Sequence, residues 1–186
     1  ASAAIAGAFD AGASEVYVND SHGGFRNMPT DLLDARAQAI QGKPRYLSMV
    51  AGVELGVDGL VCIGYHARSK GRGILAHTIN SFAFARVRFN GQELGELGIY
   101  GLLAGQYGVP VIAASGDDAF IAGLNREYRG KRGPTDVLSF GQEDGAAAPD
   151  GRVLGDIVIS LDTVAARCAG DPEAMRAEVR LLFCHG

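Results

Sequence analysis

The chain has little cysteine and no pattern in what it has. Cys62, Cys168 and Cys184 lie far apart in 186 residues without a C-x-x-C spacing, which argues against a disulfide scaffold and for reduced thiols in a cytoplasmic protein. No apolar run reaches the roughly 18 residues of a membrane helix, and the opening "ASAAIAGAF" lacks the charged start of a signal peptide, so a soluble chain with no membrane partner is expected. An excess of one charge sign is missing too. Up to and including Asp117 there are 9 basic and 10 acidic residues, and beyond it 8 and 11, for a net charge of −4. Neither half is a general polyanion binder, and any nucleic-acid contact must use a local patch, the densest being Arg126, Arg129, Lys131 and Arg132. Four familiar signatures are absent: G-x-S-x-G, a P-loop, G-x-G-x-x-G after a strand, and H-E-x-x-H.

What is present is apolar enough to bury a core and rich in glycine, at 27 residues about twice the usual share, as expected of a turn-dense α/β protein. Residues 2–10 are Ala-rich and predict a helix closed by Gly12. "EVYVND", "GLVCIGY", "AFARVRFN" and "VPVIAAS" predict strands, with helices between them at "SMVAGVEL" and "ELGIYGLLAGQYG". Strands alternating with helices argue for a mixed or parallel sheet covered on both faces. "FNGQEL" carries an Asn-Gly turn. After Gly123 the texture changes: short strands at "TDVLSF" and "VLGDIVIS" flank the loop "GQEDGAAAPDG", and two helices follow, the second with Asp171 as N-cap and Pro172 as its first residue. These make a small α+β unit, too short to bury much alone.

In such sheets ligands bind beyond the carboxyl ends of the strands. "NDSHGG", "HARSKGRG" and "GDD" follow the first, second and fourth strands, so His22 and His66 stand at two strand ends. With Glu96 they form one possible zinc set, imidazoles plus a carboxylate with a position open for water. The same residues also fit a plainer reading: two loop histidines, and a first-turn acid stabilised by a helix dipole. His77 in "GILAHT" is either a satisfied structural histidine or, near a metal, a general base.

"NDSHG", "GYHAR", "LAHT", "NGQELGELG" and "VPVIAASGDD", in that order, resemble the DppA-type D-aminopeptidases, zinc metallopeptidases that release N-terminal D-amino acids such as D-Ala from short peptides. The resemblance runs over residues 1–118. It implies His22, His66 and Glu96 as ligands of a two-zinc centre, His77 as the catalytic residue, short D-amino-acid peptides as substrates, and a homo-oligomer if this half assembles. The family's first strand carries S-x-D-x-E-G, whose acids complete the centre. Nothing here supplies them, so at most mononuclear or weak zinc binding is expected and the activity is expected to be impaired.

"LNREYRGKRGPTDVLSF", "VLGDIVIS" and the terminal "CHG" resemble the YbeY-type endoribonucleases, zinc-dependent enzymes acting on single-stranded RNA in ribosomal RNA maturation. That resemblance covers residues 117–186 and implies a role for Arg129 in activity. Of the family's H-G-x-x-H-x-x-G-Y-D-H signature only the first two residues are present, leaving His185 as the one carried-over ligand, and one imidazole cannot hold catalytic zinc. Both ends of the chain read as cut. The expectation is a chain of two truncated parts, 1–118 and 119–186, joined at the shared stretch "GDDAFIAGLN" by fusion or by an error of sequence assembly: a D-aminopeptidase-like hydrolase first, a single-strand-specific endoribonuclease or an inactive join as the alternatives.

Overall fold

A computed structural model describes residues 1–73, 75–141 and 155–185. Most of the expected loop at 141–151 lies outside them. The chain forms two compact units, one of residues 1–58 with 102–109 and one of 59–101 with 110–186. The architecture is mixed α/β, as the sequence predicts.

The first unit opens with α1 (Ser2–Asp10), which buries Ile5 and ends before Gly12 at φ +100°. β1 (Tyr17–Asn19) pairs in parallel with β2 (Gln38–Ile40), a strand the sequence did not announce. The helix expected at "SMVAGVEL" is instead two 3-10 turns, Ser48–Val50 and Val53–Leu55. Gly52 between them stands at φ +115°, outside the right-handed helical region, and a Cβ there would lie 2.9 Å from Ile40 Cδ1. A close approach to β2 thus overrides the local helical pattern.

The second unit is built on a four-stranded sheet in the order β3 (Leu60–Tyr65), β6 (Val111–Gly116), β8 (Gly155–Ser160), β7 (Val137–Gly141). The first three run parallel and β7 is antiparallel to β8. Alternation along β8 feeds two cores. Val158 joins Cys62, Ala114, Leu138 and, from α3 (Asp118–Arg129), Phe120 and Ile121. Ile157 and Ile159 face the other way, toward Val164 of α4 (Leu161–Arg167) and Leu182 of α5 (Pro172–His185). Helices therefore cover both faces. Each has a side-chain cap: Asp117 accepts from the Phe120 N–H, Ser160 from the Thr163 N–H and, as the sequence predicts, Asp171 from the Ala174 N–H.

The strand expected at "AFARVRFN" shrinks to β4 (Arg88–Phe89), which forms a hairpin with β5 (Gln92–Glu93) around Asn90 and Gly91, both at positive φ. Upstream, the N–H groups of Ala83 and Phe84 donate to the Asn80 carbonyl and the Phe84 carbonyl accepts from Ser69 Oγ. That backbone is spent in a turn and is unavailable to a sheet. Among the described residues, no helix is long and apolar enough to cross a membrane.

Strands from both sides of residue 118 share one sheet. β6 and β8 pair from Ala113↔Ile157 to Gly116↔Ser160. Polar bonds close the same junction: Asp118 accepts from Ser160 Oγ (2.6 Å) and Thr163 Oγ1 (3.2 Å), and its N–H donates to Asp162 Oδ2 (3.0 Å).

Candidate metal centre

β3 ends at Tyr65, which places His66 at the carboxyl edge of the sheet. Gly116 ends β6 beside it, where a Cβ would lie 2.5 Å from the Tyr65 carbonyl oxygen and 2.4 Å from the Phe120 ring, so only glycine fits. The Asp117 N–H donates to that carbonyl at 3.1 Å. Burial, then neighbouring Cys62, raise the Tyr65 phenol well above its ordinary pKa, and burial pushes the Cys62 thiol to about 11. Both stay protonated, as neutral groups of the core on β3.

His77 reaches His66 through one carbonyl. Ala67 O accepts the His77 N–H at 3.1 Å and also faces His66 Nδ1 at 3.2 Å. The rings stack with centroids 4.1 Å apart. His77 Nδ1 lies 2.7 Å from the Leu75 carbonyl. Both Nδ1 atoms face carbonyl oxygens, so each carries the proton and leaves its Nε2 lone pair open, the tautomer metal ligands adopt. Glu96 opens α2 (Glu96–Gln106) and sets Oε2 3.9 Å from His66 Nε2. One ligand atom from each of His66, His77 and Glu96 lies within 4.8 Å of the others, all three partly buried. Two imidazole nitrogens and a carboxylate oxygen converging from three segments suit a zinc-sized cation.

The remaining expected site residues lie apart from this cluster in the chain. His22 is exposed on the first unit, in the turn after β1. That turn is wound on Asp20, only 2% exposed, which accepts N–H bonds from His22, Asn27 and Met28. Burial works against the Asp20 charge, yet those donors hold its pKa below the usual carboxylate value. Arg126, Arg129, Lys131 and Arg132 are exposed in the last turn of α3 and just past its Gly130 cap. His185 ends α5, and its side chain lies outside what is described.

The residues that organise the cluster were not legible as such in the sequence. Thr78, fully buried, accepts the Ser69 N–H with Oγ1 at 3.1 Å, and the Ile79 N–H donates to Glu96 Oε1 at 2.7 Å. Main-chain donors and acceptors leave no sequence signal.

In comparison with known proteins, two family models match stretches of the chain. The D-aminopeptidase family model matches residues 1–133 and the endoribonuclease YbeY model residues 104–186. Their overlap holds β6 and α3. A D-aminopeptidase of Bacillus subtilis (strain 168) is 39% identical over 114 residues, 61% of this chain and 41% of that protein. An endoribonuclease YbeY of Pelotomaculum thermopropionicum is 42% identical over 73 residues, 38% of this chain and 48% of that one. The chain thus spans less than half the length of either relative. The solved Zn-dependent D-aminopeptidase DppA from Bacillus subtilis, described as a self-compartmentalizing protease, superposes with a TM-score of 0.63 at 36% identity, over 68% of this chain and 45% of that one.

Proposed function

Over residues 1–133 the chain belongs to the D-aminopeptidase family, and from that premise we propose that it is a zinc-dependent hydrolase of short peptides with an N-terminal D-amino acid. His66 and Glu96 hold the metal, and His77 handles the proton. When bound, zinc supplies Lewis acidity toward the scissile carbonyl and toward water. His66 and His77 keep their Nε2 lone pairs aimed at the cluster because their Nδ1 protons are engaged by carbonyls. His77, stacked on His66, accepts at Nε2 the proton that the attacking water loses as it bonds to the scissile carbonyl carbon, and returns it to the amine as the C–N bond breaks. The observation that carries the reading is the meeting of His66, His77 and Glu96 within 4.8 Å. The division of the chain near residue 118 into a peptidase-like and an endoribonuclease-like part belongs to the same proposal.

Release of D-alanine from a D-alanyl peptide by the zinc-loaded chain tests it. The expected result is turnover that falls about 100-fold or more in His77→Ala while zinc is retained. Loss of zinc in that variant would make His77 a ligand and not a base. A zinc-loaded chain that leaves the peptide intact would sink the peptidase reading.

A second reading has its own observation, the exposed basic group at the end of α3 inside the endoribonuclease match. If it contacts single-stranded RNA, affinity falls steeply with salt and Arg129→Ala lowers the slope of log K against log salt by about 1. Filter binding at two or more ionic strengths measures this, and equal slopes for parent and variant would count against it.

A further inference from the structure

Ile79 sits at φ +63°, in the left-handed region that a β-branched residue enters only against steric resistance. Its side chain is 47% exposed, so burial does not account for the conformation. The bonds around it do. On its N-terminal side, the His77 N–H is tied to Ala67 O and the Thr78 hydroxyl to the Ser69 N–H; on the other, the Asn80 N–H closes on the Thr78 carbonyl at 2.7 Å. Held between these ties, Ile79 aims its own N–H at Glu96 Oε1 and leaves Oε2 as the oxygen beside His66 Nε2.

A carboxylate with both oxygens free can chelate a cation through both. One with an oxygen held by an amide is biased to bind through its other oxygen alone and leaves the next coordination position open. We infer that Ile79 is a positioning residue whose main-chain N–H holds Glu96 as a one-oxygen ligand for the cation at the His66–Glu96 cluster. The inference rests on the metal-site reading above and deepens it.

The test uses Co(II) alone, titrated into the metal-stripped full chain and followed by its visible spectrum. Ile79→Gly keeps the N–H and suits positive φ, and its affinity and spectrum match the parent's. Ile79→Pro removes the N–H and also forces φ to about −65°; affinity falls about 10-fold to 100-fold, and the visible band weakens as the freed carboxylate oxygen raises the coordination number, a change that displacement of the turn alone would not produce. Parent-like affinity and band intensity in Ile79→Pro would overturn the inference. Should that variant not fold, hydrogen exchange at the Ile79 amide of the metal-free chain decides: Glu96→Ala is expected to accelerate it at least several-fold, and an unchanged rate overturns the bond. A parent that binds no Co(II) removes the metal reading itself and this inference with it. Cobalt binding that ignores the Ile79 variants removes the inference alone.

Discussion

Leu138→Ala destabilises the second unit by about 2–5 kcal/mol, the usual penalty for emptying a buried leucine site. Leu138 is fully buried on β7, in the stretch matched by the endoribonuclease model alone, yet it shares one core with Cys62, in the stretch matched by the D-aminopeptidase model alone. A loss of that size lowers the melting temperature by roughly 10 °C. Far-UV circular dichroism and tyrosine fluorescence, the latter summed over six tyrosines that include partly buried Tyr65 on β3, should record the same lowered midpoint. Leu181→Ala, at a side chain 63% exposed, is the control and shifts stability by no more than about 0.5 kcal/mol. If Leu138→Ala moved the circular dichroism transition and left the tyrosine fluorescence transition in place, the two parts would be folding separately and the β6–β8 pairing would carry no cooperativity.

His66→Ala removes zinc from the purified chain, and His185→Ala does not. Changes to residues that merely support a metal ligand weaken binding about 10-fold to 100-fold, so loss of a ligand nitrogen should weaken it at least 100-fold. His66 contributes the Nε2 nearest Glu96, with its ring already oriented by the Ala67 carbonyl. His185 is the single histidine of the endoribonuclease-like part, and one imidazole falls short of the roughly three protein ligands a catalytic zinc needs. Elemental analysis of parent and variants reads the outcome directly, with at most one zinc per chain expected. Zinc that survived His66→Ala and left with His185→Ala would put the metal at the other end of the chain.

Much of the local structure was legible. The Ala-rich start, the apolar runs of β3 and β6, the Asn90-Gly91 turn and the Asp171-Pro172 opening of α5 each follow from side chains acting within a few residues. The failures share a cause as well. "SMVAGVEL" has helical spacing, but Gly52 must let Ile40 approach, and Ile40 is 12 positions away in sequence. "AFARVRFN" alternates like a strand, but Asn80 and Ser69 claim its backbone groups.

The site divides along the same line. His22, His66, His77 and Glu96 could be named as candidates because ordered motifs carry them and because strand ends are where ligands bind, and the structure brings His66, His77 and Glu96 together. That His77 stacks on His66, that one carbonyl orients both, and that a strained isoleucine amide holds Glu96 could be seen only in three dimensions. So could the sheet that runs across residue 118, where Ala114 on β6 registers with Val158 on β8. Sequence by itself determined which residues favour strand, turn or cap and which side chains are able to bind a metal, since those properties act over a few bonds. Tertiary structure decided which strands became neighbours and which main-chain groups met the ligands, since such pairings depend on closing long loops and on backbone atoms that every residue shares.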